Sequence, residues 1–389
     1  MQHLSIYIHW PFCLSKCPYC DFNSHVTNKV DHHLWLKSYE KEIDHFKDII
    51  HSRYIKSIFF GGGTPSLMEP FVVEGIINKL KELANINDQT EITLETNPTS
   101  FETNKFQSFK LAGVNRVSIG VQSLRKDDLK QLGRQHDAAQ AIKTIEAARK
   151  IFSKISFDLI YARSNQTLKD WQQELQEAMQ LTSGHISLYQ LTIEKGTLFY
   201  KLFKEGSLTI PDSDQAAEMY EWTNHYLESN NYFRYEISNY AIPNHECMHN
   251  LAYWHYDNYL GIGPGAHSRI IENSKPQIAH SIMMWHKPEK WLQIVNDSNV
   301  GIQSKIKLST QEMVEEILMM GLRLKGGINI DSLEQKIGMK LTDILDIDLL
   351  QYYQTLNLIK SDKNIYLTDK GLMLHSYIIP RLIKCHIVA

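Results

Sequence analysis

Six short runs rich in β-branched and aromatic residues recur along the first half of the chain, at Leu4 to His9, Ser57 to Phe60, Glu91 to Thr96, Arg116 to Val121, Ser156 to Tyr161 and His185 to Leu191. Between them lie stretches with helical spacing of apolar positions, notably Val30 to Ile49, Pro70 to Ala84, Ala138 to Phe152 and Thr167 to Gln180. This alternation predicts six β-then-α units in a parallel α/β arrangement, either rolled into a partial barrel or laid out as an open sheet. Both arrangements display working side chains at the C-terminal ends of the strands.

From about Pro211 the pattern changes to a helix near Asp214 to Ser229 and then an aromatic-rich segment running to GIGPGAHS. Residues 296–307 are polar and read as a linker. Ser309 or Thr310, with Glu312 in the first turn, should cap a helix to Leu324. Helical patterns at Asp331 to Ile337 and Leu341 to Leu356 precede LIKSDKNIYLTDKG, which reads as a hairpin with a polar turn. The resulting partition is 1–210 for the barrel, 211–295 for the aromatic-rich extension and 296–389 for a small α+β, winged-helix-like domain. Winged helices often bind DNA, but no basic cluster marks this one, so a protein-contact or lid role is expected.

The composition changes this picture little. A chain of 389 residues, 43 % of them hydrophobic, is long enough for a barrel-sized unit of roughly 200 to 250 residues and a smaller partner. A formal net charge of −3 supplies no general attraction for nucleic acid, so no nucleic-acid partner is expected. The N-terminal stretch lacks the charged-then-apolar pattern of a secretory signal, and no apolar run reaches membrane-spanning length. The expected compartment is the reducing cytoplasm, where cysteines serve metal and redox chemistry more often than structural disulfides.

Three of the five cysteines, Cys13, Cys17 and Cys20, fall within eight residues as C-x3-C-x2-C directly after the first strand run. Thiolates at these separations can hold three irons of one cubane cluster and leave the fourth iron open. A zinc site that borrows a distant histidine is the alternative, because structural zinc normally closes its sphere with four ligands. The other cysteines, Cys247 and Cys385, are remote in sequence. Gly61 to Gly63, Thr64 and Pro65 follow the apolar SIFF run, where missing side chains admit close approach of a ligand and equally make a tight strand-to-helix turn. Glu95, Gln122 and Asp158 stand at or near the ends of successive strand runs, and Arg134 follows the fourth.

The cysteine spacing, together with YIHWPFC, FGGGTPSL, LETNP, SIGVQSL, LGRQHD and FDLIY, resembles the radical-SAM superfamily over nearly the whole chain, in its coproporphyrinogen-dehydrogenase-like, HemN-related branch. The resemblance implies a partial (β/α)6 radical-SAM barrel carrying a [4Fe–4S] cluster on Cys13, Cys17 and Cys20, with S-adenosylmethionine on its open iron. It further implies that Tyr7 and Tyr19 flank the cluster and its ligand. Gly62, Gly63 and Thr64 would lie against the methionyl part, and Glu95, Gln122, Arg134 and Asp158 would complete the S-adenosylmethionine site. One departure stands out: the family's Gly-Leu-Pro-Gly-Gln after FDLIY is replaced by Ala162, Arg163, Ser164, Asn165 and Gln166, which puts the fit near Asp158 in question.

Two branches share this frame, an oxygen-independent coproporphyrinogen III oxidase and the HemW-type heme chaperones. The oxidase pattern has a further cysteine where this chain has Phe22, and a long N-terminal extension, whereas Tyr7 lies seven residues from the start. The segment His249-Asn250-Leu251-Ala252-Tyr253-Trp254 matches the HNxxYW motif associated with heme in the chaperone branch. There the resemblance implies His249 as heme-iron ligand, with Asn250, Tyr253 and Trp254 at the heme. A neutral imidazole suits heme iron and flat rings suit a porphyrin face. His245, His255, His267 and Cys247 compete for the role, and no ligand is assigned to GIGPGAHS. Heme, acceptor hemoproteins and a heme-storage donor are the implied partners, and the resemblance admits a homodimer and peripheral membrane contact. A carrier is expected rather than a catalyst, and no catalytic residue is assigned. The rivals are the oxidase or another radical-SAM enzyme.

Overall fold

In the computed structural model, residues 3–384 are described apart from 28, 52, 273, 275 and 276. Cys385 lies outside them. All six strand runs form strands: β1 His3–Trp10, β2 Tyr54–Gly62, β3 Glu91–Thr96, β4 Arg116–Gln122, β5 Lys154–Tyr161 and β6 His185–Gln190. They pair in parallel in chain order. The crossover helices include α1 His32–His45, α2 Pro70–Leu83, α3 Ala138–Ile151 and α4 Leu168–Met179. α3 opens with a capping box in which Asp137 and Gln140 satisfy each other's backbone amides, a device that contributes about 1 kcal/mol. Strand and helix side chains share one core that includes Ile6, Ile58, Leu94, Val117, Phe157 and Trp171. The architecture is α/β, with the six parallel β-then-α units that the pattern predicted arranged as the partial (β/α)6 barrel that the resemblance implied.

The sheet does not stop at residue 190. After α5 Ser213–Ser229, two short strands, β7 Phe233–Arg234 and β8 Asn239–Ala241, extend it antiparallel beyond β6. Helix α6 Met248–Trp254 follows, and then β9 Tyr259–Ile262 inserts parallel to β1 on the opposite edge. β10 His267–Ile271, β11 Ala279–Met284, helix α7 Pro288–Ser298 and β12 Ile302–Lys307 complete that side with antiparallel strands. The stretch 296–307, which reads as a linker, therefore ends in an edge strand. Its polar character is that of a ladder with one side in solvent, where charged residues discourage further pairing.

The C-terminal module has its own core, built on Val314, Ile317, Leu333, Ile365 and Ile378. Helix α8 Thr310–Gly321 begins at the Ser309–Glu312 capping box, as its sequence predicts. The helical stretch Leu341 to Leu356 is divided in two because Asp346 starts a second helix by capping the Leu349 amide. The hairpin Ile359–Ser361 with Asn364–Leu367 is joined by Ile328–Asn329 in a three-stranded sheet, giving the winged-helix-like pattern of helices and wing.

Candidate functional site

At the C-terminal ends of β1 to β5 a cavity of about 180 Å³ brings together Cys13, Cys17, Cys20, Tyr19, Gly62, Gly63, Thr64, Glu95, Gln122, Arg134 and Asp158. All three clustered cysteines and eight of the polar or glycine positions singled out in the sequence thus meet in one place. Tyr7 does not line this cavity; it sits below in the barrel, its hydroxyl hydrogen-bonded to His9 Nδ1 at 3.1 Å.

The cysteine loop is held from two sides. Thr64 Oγ1 donates to Cys13 Sγ at 3.4 Å, and Arg134 Nη1 donates to Cys17 Sγ at 3.4 Å. Burial and the neighbouring thiols push Cys13 up, opposed by the Thr64 contact. Glycine is required at the second wall: Gly62 has φ +113°, and a Cβ on Gly63 would lie 2.6 Å from the Phe12 carbonyl oxygen.

Two carboxyl groups face each other across the cavity floor. Glu95 Oε2 accepts from the Gly62 amide at 3.2 Å, and burial, followed by the charge of Asp158, pushes Glu95 up to about 8. Asp158 is pushed up to about 6 by burial, with hydrogen bonds from Ser187 and Ser118 opposing. Gln122, at φ 69° where β4 ends, carries a buried Oε1 with no partner, and Arg134 has a buried, unpartnered Nε. Orphaned polar atoms of this kind on a cavity wall are what a polar ligand would satisfy.

Sequence reasoning missed Asn97, although it stands in the LETNP run. Its Nδ2 donates to Thr64 Oγ1 at 3.1 Å and its Oδ1 accepts from Arg134, which also donates to the Gly120 carbonyl at 2.8 Å. Asn97 is itself fixed by Glu102, whose buried Oε2 accepts from Ser66, Thr96 and the Asn97 amide. The residues after β5 are settled by a different chemistry from the expected glycines. Buried Arg163 pairs with Asp128 at 2.6 Å and with Glu174 at 2.5 Å, and it donates to the Ile160 carbonyl. This ion-paired anchor leaves Asp158 facing the cavity.

His249 lies elsewhere. Helix α6 packs at the N-terminal ends of the strands: the His249 and Cys247 groups both donate to Glu91 Oε1, at the start of β3. Its imidazole is 1 % exposed and stacks on Phe59. Ser57 Oγ donates to Ser5 and therefore accepts from His249 Nδ1 at 2.9 Å, so Nε2 carries the lone pair and accepts from the Tyr253 hydroxyl at 2.9 Å. Burial pushes His249 down to about 3. Asn250 is half-buried, and Trp254 lies under the Arg323 guanidinium. The four motif residues are thus on one helix at the end of the barrel remote from the cysteines.

Among the described residues no three His, Cys, Asp or Glu groups converge on a lone metal ion. A cubane does not ask this of its cysteines, because each thiolate takes a different iron. Nor is any helix of the described residues long and apolar enough to cross a membrane.

Comparison with known proteins gives the frame a family. The model of the radical SAM superfamily matches residues 7–178, and that of the HemN C-terminal domain matches residues 308–374. The chain is 34 % identical to radical S-adenosyl methionine domain-containing protein 1, mitochondrial, of Danio rerio, covering 97 % of this chain and 86 % of that protein. It is 32 % identical to heme chaperone HemW of Bacillus subtilis, over 95 % of this chain and 96 % of that one. Among solved structures, coproporphyrinogen III oxidase (HemN) from Escherichia coli, described as a radical SAM enzyme, superposes with a TM-score of 0.82 at 22 % identity. It covers 98 % of this chain and 90 % of its own, a likeness of fold. Radical SAM membership implies a [4Fe–4S] cluster and S-adenosylmethionine, and the three-thiol loop beside unsatisfied polar atoms fits that pair. With a relative called HemW matched over nearly the full length of both chains, the chain belongs to the HemW family of the radical SAM superfamily.

Proposed function

We propose that this chain is a heme chaperone that binds heme and passes it to acceptor hemoproteins in a reducing cytoplasm, using a [4Fe–4S] cluster and S-adenosylmethionine. The observation that carries the reading is the match to a HemW relative over nearly the full length of both chains, on a chain whose cysteine loop has Phe22 in place of a further cysteine.

In this reading Cys13, Cys17 and Cys20 hold three irons. Tyr19, Gly62, Gly63, Thr64, Glu95, Gln122, Arg134 and Asp158 form the S-adenosylmethionine site, and Tyr7 supports it from below. When bound, the cluster and its ligand supply one-electron reduction of a sulfonium. The protein residues bind and orient. The Gly62 and Gly63 backbone admits a methionyl chain, and a Glu95 carboxyl that is neutral near pH 7 can both donate to and accept from ribose hydroxyls. Arg134 keeps one guanidinium nitrogen on Cys17 and leaves Nε for a carboxylate.

Heme is assigned to the segment of His249, Asn250, Tyr253 and Trp254. His249 would be the residue that holds the iron there, through Nε2, whose lone pair accepts from the Tyr253 hydroxyl in the heme-free chain, with Nδ1 kept in place by Ser57. A heme-storage donor and a membrane surface on which acceptors reside complete the proposed partners.

The test is anaerobic cluster reconstitution followed by hemin titration, with coproporphyrinogen III decarboxylation assayed in the same preparation. Stoichiometric growth of a Soret band without carbon dioxide release is expected. Decarboxylation without heme binding would make the protein an oxidase.

A further inference from the structure

His249 can take an iron only if helix α6 first moves, because its imidazole is 1 % exposed and its Nε2 lone pair is occupied by the Tyr253 hydroxyl. What holds α6 in place therefore controls the site. On its inner side the helix rests on the barrel through Ser57 and Glu91. On its outer side it packs against α8 of the C-terminal module, which grips it at and just beyond its last turn.

One hold is on Trp254. Arg323, two residues past the end of α8, lies over the indole at 4.5 Å and donates from Nη2 to Glu236 Oε2 at 3.1 Å. Glu236 is 1 % exposed, so the guanidinium answers a buried carboxylate through its edge and an aromatic face through its plane. Trp254 Nε1 is buried and meets no acceptor among the described residues, so the indole is fixed by stacking and packing rather than by a hydrogen bond.

The other hold is on Tyr256, two residues after α6 ends. Its hydroxyl donates to Glu316 Oε2 of α8 at 2.6 Å, the same carboxylate that takes Arg269 Nε at 2.8 Å, and its ring belongs to the core of the C-terminal module. Lys336 adds a hydrogen bond to the intervening His255 carbonyl at 3.0 Å. Tyr256 stands at φ 53°, in the left-handed region that a bulky side chain avoids. Such a conformation persists only where its surroundings impose it. Here they are Glu316 and the core of the module, so the turn that ends α6 is set by the C-terminal module and not by its own sequence.

We propose that the C-terminal module is a gate on His249: with Arg323 on Trp254 and Glu316 on Tyr256 the site is shut, and heme enters when these holds release α6. The inference rests on the heme reading above and deepens it. Arg323 and Tyr256 are positioning residues that set how often α6 opens. Heme binding is then limited by the open fraction, so a weaker clamp raises the association rate and the affinity by one common factor and leaves dissociation unchanged. A side chain that contacts heme would change the dissociation rate instead.

The test compares the unsubstituted full chain with two variants. Arg323→Lys keeps a cation beside Glu236 and loses the planar face; Tyr256→Phe keeps the ring and loses the bond to Glu316. In the heme-free protein, amide hydrogen exchange of residues 248–254 should speed up about fivefold in either variant, while exchange in β1 to β5 and in residues 314–318 of α8 stays unchanged. Stopped-flow mixing with hemin should show association faster by the same factor, about fivefold, at an unchanged dissociation rate. Faster exchange throughout the C-terminal module overturns the gate, because the two residues then only support its fold. Faster exchange of α6 with unchanged hemin association also overturns it, as does no change in either measurement. Failure of the unsubstituted protein to bind hemin overturns the heme reading and the gate with it, whereas the other outcomes leave that reading standing.

Discussion

Asn97 holds Arg134: its carboxamide oxygen accepts from the guanidinium, and its amide nitrogen, through Thr64, reaches the opposite side of the cysteine loop. A continuous hydrogen-bonded path therefore runs from Cys13 through Thr64, Asn97 and Arg134 to Cys17. Asn97→Ala should leave the fold intact and loosen both grips at once. The expected outcome is a loss of about tenfold in S-adenosylmethionine affinity, roughly the 1.4 kcal/mol of one charge-assisted hydrogen bond. The readout is the change that S-adenosylmethionine causes in the electron paramagnetic resonance spectrum of the reduced cluster.

Glu95 makes the ligand-free protein pH-sensitive. Its folded-state value, near 8, lies above its ordinary 4.5. Its contribution to stability is therefore full below about 4.5 and is lost as the pH rises through about 8. Glu95→Gln removes the ionisation. The melting temperature of the unsubstituted protein, relative to that of the variant, should fall by about 5 °C across this window. Parallel pH profiles would show that Glu95 is not held neutral.

The Arg163 anchor is a buried ion pair, and breaking one side of it strands the other. Glu174 is 0 % exposed, and its Oε1 is already committed to the Ser123 hydroxyl and the Leu124 amide. Arg163→Ala should cost about 3 to 5 kcal/mol of stability in a denaturant titration. Arg163→Ala/Glu174→Gln should recover part of that loss, because the uncompensated charge is gone.

Tyr253 and iron compete for one lone pair in the proposed heme exchange. Tyr253→Phe keeps the ring and removes the competing hydroxyl, so heme binding should tighten about fivefold, the equivalent of one hydrogen bond of ~1 kcal/mol. His249→Ala should weaken it. If hemin titrations of the two variants move in the same direction, the exchange at Nε2 is wrong.

The six parallel strands were legible because each is a β-branched or aromatic run bounded by turn residues, and β3 was read to the residue. The cysteine loop was legible from spacing alone. What escaped the sequence was pairing at long range. The imidazole of His249 closes on Ser57, 192 residues away, and nothing in a seven-residue helix announces that partner. Asn97 escaped for the opposite reason: a lone carboxamide after a strand reads as a turn residue until the guanidinium beside it is known. The Ala162 to Gln166 loop was legible as a departure, but its compensation depends on Asp128 and Glu174, which precede and follow it on separate helices.

The insertion of β9 beside β1 has a consequence for how the protein is made. During synthesis the strand that launches the cysteine loop stays without one of its neighbours until residues 259–262 have emerged, and the hydrogen bonds from Asn23 to the Pro264 and His286 carbonyls wait for those residues. Contacts of such sequence separation form late. The nascent chain therefore exposes three reduced thiols on an unsupported loop for most of its translation. Any cluster loading that needs the finished loop waits until those segments are out, and the interval before it is when these thiols are most open to oxidation.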